Sequence, residues 1–471
     1  MAMDSKERLE LVLRGAEEIV TEKEIKELLE TGEDLRAYVG YEPSGFVHIG
    51  WFIITMKIDD LIKAGFKVDV LLADWHAFIN DKFDGDLEKI KACGDYFIDC
   101  YRAFGLGDAI DSGKVSFKWA SEMADSADYW EKVLRIAKSA SLSRIKRAMT
   151  VMGRKEDEGD LDSSKFLYPS MQAADIFDLG VDLAIGGMDQ RHAHMLARDA
   201  AEKLGWRKPT ALHTPLLSSL SKGGRMEMIT GPTGGLDHDA LANNIEKDLQ
   251  HLIDNESLSP ETREILFGLQ KMDRKKRHKA IEVLIAGKRR VGGKTPILSA
   301  LSREDNNGNL AFETDELHKL NRQLNIARRE LFAYLGLQDQ EDISKQKMSK
   351  SDPDSGIYLH DEEDDIRRKI KKAWCPEGVP DNPVMEICKT IIFPKKGELH
   401  IKRPEKWGGD LHFESYQELR ARFTKKQLHP ADLKKEVAAQ MVEILKPFRD
   451  YFKENPKTLN IIKERAGPIS K

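Results

Sequence analysis

Tyr38-Val-Gly-Tyr-Glu-Pro-Ser-Gly-Phe-Val-His48-Ile-Gly50-Trp51 leaves a strand-like segment at 35–41, turns at Pro43-Ser44-Gly45 and enters a helix at His48. Beyond it Phe52, Ile53, Met56, Ile58, Leu61 and Ile62 recur with helical periodicity. A strand, a tight turn and a helix N-terminus together suit a phosphate chain, because unpaired amides and the positive end of the helix dipole point at the anion. Pro43 and Gly45 pre-set the turn, and Gly50 lets a flat ligand approach the backbone. Alone, the stretch reads equally well as an ordinary tight connection.

Outward from this stretch, strand-like and helix-like segments alternate. Strands are expected at 35–41, 67–74, 114–119, 181–185 and 210–213, with helices at 51–64, 86–104, 124–151, 166–179 and 190–203. Two short helices are expected within 5–31. Such alternation predicts an α/β fold, a Rossmann-like parallel sheet covered by helices, with ligands at the carboxyl ends of its strands. On the helix near Pro169, Tyr168, Gln172 and Asp175 fall at i, i+4 and i+7 and make one polar stripe among Met171, Ile176 and Phe177. The stripe faces either a buried pocket or solvent. Gly186-Gly-Met-Asp189-Gln190-Arg191 follows the 181–185 strand, so two glycines again precede a helix, and Asp189 can accept from sugar hydroxyls.

The 471 residues are 40% hydrophobic and 33% charged, ordinary for a well-solvated globular chain of two or three domains. The longest apolar runs, such as 68–73, are far too short to span a membrane, and the charged opening shows no signal peptide. Cys93, Cys100, Cys375 and Cys388 are scattered and read as free thiols, not as a zinc site or disulfide framework. His192 and His194 lack a third ligand of matching spacing. His76 reads as a pocket-lining or packing residue. From 366 to 471 there are 24 Lys and Arg against 14 Asp and Glu, net +10, whereas the rest carries −15. That asymmetry suits a polyanion met by the C-terminal third, or a solvated helical surface.

A second signature, Lys347-Met348-Ser349-Lys350-Ser351, follows late in the chain. His-x-Gly early and Lys-Met-Ser-Lys-Ser late resemble the paired signatures of class I aminoacyl-tRNA synthetases. The 38–50 stretch, the Tyr168–Asp175 stripe, Gly186–Arg191, 401–410 and 428–433 are similar to tyrosyl-tRNA synthetases of the archaeal and eukaryotic type. The tryptophan enzymes are the nearest confusable relatives, and a catalytically idle paralogue that binds RNA or a partner is the alternative from another class.

The resemblance implies that L-tyrosine is activated with ATP, with Mg²⁺ on its phosphates, and passed to tRNA(Tyr). It implies His48, Lys347 and Lys350 as catalytic residues. Tyr38, Tyr168, Gln172, Asp175 and Gln190 would hold tyrosine. Gly40, Glu42, His48, Gly50, Asp189, Lys347, Met348, Ser349, Lys350 and Ser351 would hold ATP. Arg147 and Arg191 would meet the acceptor end of tRNA, and Trp407, His429 and Asp432 its anticodon. The structural alternative places Trp407 in a small core and makes Asp432 a helix cap. No protein-bound metal is expected, and a cytoplasmic homodimer without membrane contact is. The implied organisation is N-terminal helices at 1–34, a catalytic domain at 35–220, a helical insertion at 221–346, the signature loop and linker at 347–365, and a helical anticodon-binding domain at 366–471.

Two stretches depart from the family pattern as read from sequence. Trp51 stands where a second His is usual, and an indole N–H can donate but carries no charge. Residues 221–346 replace a short loop; helices are expected at 241–253, 260–270, 275–286 and 315–335, and 271–294 holds ten Lys and Arg against two acids, a candidate RNA patch or a solvated face.

Overall fold

The computed structural model describes residues 3–31, 34–149, 162–220 and 356–465, with short stretches between 245 and 331 of which 258–271 is the longest. The chain divides into two compact units, 1–224 with 344–471, and 225–343.

In the first unit six strands form one sheet: β1 (Glu18–Val20), β2 (Arg36–Tyr41), β3 (Lys67–Leu72), β4 (Val115–Trp119), β5 (Leu183–Gly187) and β6 (Thr210–Thr214). Their order is β1-β6-β5-β2-β3-β4, and every pairing is parallel except that of β1 with β6. Parallel strands covered on both faces read as near-continuous apolar runs, and β3 is buried from Val68 to Leu72. Its Asp69 is tolerated inside because Arg36 donates to it at 2.5 Å and Ser116 also bonds it. The α/β expectation holds, with one omission. β1 is an edge strand of three half-buried residues, too short to show any period, inside a segment read as helical.

The chain leaves β2 towards β3 on one side and reaches β5 on the other, so the strand order reverses between β2 and β5. A crevice opens beyond the carboxyl ends of strands at such a point. Alternation along β2 assigns its side chains to opposite faces. Tyr38 joins the apolar cluster of helices Ala127–Ser139 and Tyr168–Asp178, whereas Val39 joins that of Ile49–Lys63 and Leu87–Tyr101. Two cavities flank β2 for this reason.

After residue 356 the chain pairs with the turn beyond β2, Tyr358 bridging His48, and then builds its C-terminal part. Helices Glu363–Lys372 and Pro430–Ile444 pack together beside a two-stranded hairpin, β7 (Leu399–Ile401) and β8 (Leu411–Phe413). In the second unit the described helix is Pro260–Gln270, capped by Ser259 and started by Pro260, with Leu266 and Leu269 buried. Within the expected helix 241–253 the described residues 245, 246, 248–250, 252 and 253 are helical; the helices expected at 275–286 and 315–335, and the basic stretch 271–294, lie largely outside the described residues. Among the described residues no helix is long and apolar enough to cross a membrane.

Candidate active site

Both cavities open at the reversal point. The smaller, about 170 Å³, lies on the Tyr38 side and is lined by Tyr38, Glu42, His76, Tyr168, Gln172 and Asp175, with Gln190 at its mouth. The larger, about 190 Å³, lies on the Tyr41 side, among Val47, His48, Gly50, Trp51, Gly186, Asp189 and Leu216. They share Gly40, Tyr41, Glu42 and Gln190.

The small cavity is built from the buried stripe of helix Tyr168–Asp178. Tyr168, Gln172 and Asp175 are 5%, 8% and 1% exposed, so the stripe faces inward. Asp175 Oδ1 accepts from Tyr129 Oη at 2.8 Å, and Oδ2 lies 3.2 Å from His76 Nε2 without hydrogen-bond alignment. Gln172 Nε2 donates to Gln190 Oε1 at 2.9 Å, leaving Gln172 Oε1 without a hydrogen-bond partner. Tyr168 donates to Glu42 at 2.7 Å, and Asn80 Nδ2 donates to the same carboxylate at 3.0 Å. Burial, then the Asp175 carboxylate, raises the Tyr38 phenol pKa well above its usual value; burial and Glu42 do the same for Tyr168. Both phenols therefore stay protonated and can donate. Burial alone would lower the His76 pKa, but Asp175, helped by Glu42 and Asp74, raises it. Buried acceptors without partners, Asp175 Oδ2 and Gln172 Oε1, require a polar ligand or water to satisfy them.

On the other side of β2, His48 is the N-cap of helix Ile49–Lys63, its Nδ1 accepting from Gly50 N–H at 3.1 Å. A neutral imidazole that accepts at Nδ1 carries its proton on Nε2. A Cβ on Gly50 would fall 2.7 Å from His48 Cε1. Gly50 is thus required first by the histidine's own ring, a reason the sequence reading missed. Trp51 is 6% exposed and packs on Tyr101 with ring centroids 4.6 Å apart, forming an apolar wall of the larger cavity. Asp189 follows β5, where a Cβ on Gly187 would fall 2.6 Å from its Oδ1.

Lys347, Met348, Ser349, Lys350 and Ser351 lie outside the described residues. The chain that follows them is fixed to the site: Ile49 N–H donates to Ile357 O at 2.9 Å and Leu359 N–H to Val47 O at 3.0 Å. Ile357, Tyr358 and Leu359 are buried there, and Tyr358 bridges His48.

None of the residues expected to meet RNA lines either cavity. Arg147 lies in the last turn of helix Leu142–Ala148, and Arg191 begins helix Arg191–Leu204 with its Nε on Glu18 at 2.8 Å. His194 and His213 form a buried pair, 3.1 Å between ring nitrogens, and burial pushes the His194 pKa down to about 3. Trp407 is 65% exposed in the β7–β8 connection and is no core residue. His429, not Asp432, caps helix Pro430–Ile444, its Nδ1 accepting from Ala431 N–H at 3.1 Å. Both structural alternatives for Trp407 and Asp432 therefore fail. Arg403 ties the hairpin connection to the approach of that helix, donating to Gly409 O and Gln427 O.

Sequence reasoning missed Tyr129 and Asn80. Each reaches the site only through tertiary contact, 46 residues from Asp175 and 38 from Glu42 respectively. His76 lines the small cavity.

The chain matches the family model described as tRNA synthetases class I (W and Y) over residues 30–227 and 304–446. It is 34% identical over 472 aligned positions to the tyrosine–tRNA ligase of Saccharolobus solfataricus, covering 100% of this chain and 99% of that one. The crystal structure of tyrosyl-tRNA synthetase from Aeropyrum pernix superposes with a TM-score of 0.66 at 32% identity, covering 99% of this chain and all of that one. The Pyrococcus horikoshii synthetase, solved with L-tyrosine, gives 0.67 at 31% identity, covering 98% and 100%. The family model skips residues 228–303, which fall within the segment 221–346 expected as an insertion. With its matched residues extending over well more than half its length, this chain belongs to the class I tRNA synthetases of the tryptophan and tyrosine group.

Proposed function

We propose that the two adjoining cavities are the tyrosine and ATP halves of one site. The chain is a tyrosine–tRNA ligase, which activates L-tyrosine as the adenylate and transfers it to tRNA(Tyr). The observation that carries the site assignment is the junction at Gly40–Glu42 and Gln190, where a polar cavity sized for one side chain meets an apolar one beneath a helix N-terminus.

In this reading the phenol of tyrosine donates to Asp175 and accepts from Tyr38, and Tyr168, Gln172 and Gln190 hold its α-amino group. Its carboxylate is then presented at the junction. ATP lies in the larger cavity, its adenine over Gly50 and against Trp51, its ribose on Asp189. His48 Nε2–H is aimed at phosphate oxygens from the helix start. The carboxylate attacks the α-phosphorus through a five-coordinate arrangement, so the protein chiefly orients reactants and stabilises oxygen charge. Lys347 and Lys350, on the segment leading to the 357–359 anchor, neutralise pyrophosphate as it leaves. Trp51 cannot share that charge, which puts it on the two lysines. Mg²⁺ would screen the phosphate charge; Glu42 already accepts from Tyr168 and Asn80, so the ion would be seated on the phosphates themselves.

Exposed Trp407 is suited to stack on an unpaired anticodon base, with Asp432 and His429 beside it at a helix start. Arg147 and Arg191 would face the acceptor end. A homodimer is supported by Trp75, Phe78 and Leu134, large apolar side chains left 37%, 45% and 64% exposed on two helices of the sheet unit. A cytoplasmic place of action goes with this reaction. The experiment is transfer of labelled tyrosine to tRNA(Tyr) with ATP: charging supports the reading, and tyrosine activation without any charging would make the chain a nucleotidyltransferase of another kind.

A further inference from the structure

The β7–β8 hairpin carries side chains that the aminoacylation reading does not use. Its register pairs Leu399 with Phe413, His400 with His412 and Ile401 with Leu411. Leu399, Ile401 and Phe413 are 1% exposed and root the hairpin in the C-terminal core. Side chains alternate across a strand, so His400 and His412 stand directly opposite on the solvent face, and Glu398, two residues before His400, joins them there. His412 Nε2 lies 2.8 Å from Glu398 Oε2, and the two imidazole rings are 4.0 Å apart between centroids. Ligand atoms of all three residues lie within 4.8 Å of one another, a grouping of three potential ligands found nowhere else among the described residues.

We propose that Glu398, His400 and His412 bind one divalent transition ion of the zinc class. Two imidazoles and one carboxylate are a borderline donor set, which suits zinc and its neighbours and not the hard, all-oxygen shells of magnesium or calcium. Three protein ligands leave at least one coordination position open to water, as the exposed face allows. Small rotamer changes suffice to bring the three donors to one centre at about 2.0–2.2 Å, because the backbone already presents them on one face. The ion staples β7 to β8 at the base of the 402–410 connection, which carries Trp407 and Asp410. Linear spacing hides the set: His400 and His412 meet only through the hairpin register, and the sequence reading accordingly expected no protein-bound metal.

The test uses the full-length chain, stripped with a chelator and titrated with Zn²⁺ by calorimetry, with Mg²⁺ as a parallel titrant. The expected result is one saturable Zn²⁺ per chain, lost in the His400→Ala/His412→Ala double variant and weakened in Glu398→Gln, with no matching Mg²⁺ isotherm. Zn²⁺ should also raise the unfolding temperature of the wild type and not of the double variant. All three side chains are exposed, so variants should keep the wild-type unfolding temperature in chelator and the wild-type rate of tyrosine-dependent pyrophosphate exchange. Should the double variant fold less well, the single His400→Gln change gives the same reading. Unchanged Zn²⁺ binding in the histidine variants, no saturable binding by the wild type, or equal binding of Mg²⁺ would each overturn the proposal.

Discussion

The two cavities share a wall at Gly40–Glu42 yet are built differently. The small one is closed by side chains that hold one another: Tyr129 on Asp175, Gln172 on Gln190, Tyr168 and Asn80 on Glu42. The large one is floored by backbone and apolar groups, Gly50, Gly186, Trp51 and Leu216, and its proposed cations come from a separate segment anchored at 357–359. On the proposed function, choice of amino acid would reside in this hydrogen-bonded network, and acceleration in Lys347 and Lys350. Selectivity and rate should therefore be separable by mutation.

The largest expected effect is on selectivity. A site that hydrogen-bonds a substrate hydroxyl rejects the analogue lacking it by leaving buried groups unpaired; tyrosine enzymes are themselves the standing example, at about 10⁵ against phenylalanine. Asp175→Ala should erase most of that preference while ATP affinity stays near wild type, read from exchange kinetics with tyrosine and phenylalanine. A variant that still discriminates like wild type would break the division between the cavities.

Next comes rate. Lys347→Ala should lower single-turnover activation by about 10²–10³, the usual cost of one group that stabilises transition-state charge, with tyrosine affinity intact. If tyrosine affinity falls in step with rate, the loop serves both cavities and the contrast is weaker than drawn.

Gly50→Ala sharpens the comparison from the backbone side. Its methyl group would meet His48 Cε1 and Nδ1 at 2.7 and 2.9 Å and must push the ring off its cap. Displacing a positioning group by this much should slow activation by roughly tenfold to a hundredfold without changing the tyrosine-to-phenylalanine ratio. Equal rates would mean that His48 does not act from this position.

The smallest effect is on stability. The folded-state pKa of His76 is raised, since Asp175 and its neighbours outweigh burial. Its contribution should be fully present below the unfolded value, about 6.5, and lost as pH rises through the higher folded value. Unfolding midpoints of wild type and His76→Asn should therefore converge as pH rises from 6 towards 9. A difference that grows over this range would assign His76 a neutral role.

Much of this was legible in the chain itself. The 38–51 stretch, the polar stripe of 168–175 and the glycine pair at 186–187 each combine a local period with turn chemistry, and the sheet places all three at one crevice. What sequence could not show depends on contacts between distant segments. Tyr129 lies on a helix whose apolar period reads as packing, and Asn80 follows a short helix after β3; neither carries a local signal of the site. β1 was hidden by its three-residue length. The segment 221–346 is a departure that shows in sequence as a long stretch between the two signatures; the family model leaves 228–303 within it unmatched, and 225–343 form a compact unit of their own.

In the proposed active site a tyrosine-shaped polar cavity opens onto a nucleotide cavity. Amino-acid-dependent exchange of labelled pyrophosphate into ATP, run without tRNA across the twenty amino acids, tests it most directly. Strong exchange is expected with tyrosine and almost none with phenylalanine or tryptophan. Exchange with tryptophan or phenylalanine comparable to that with tyrosine, or exchange with no amino acid at all, would contradict it.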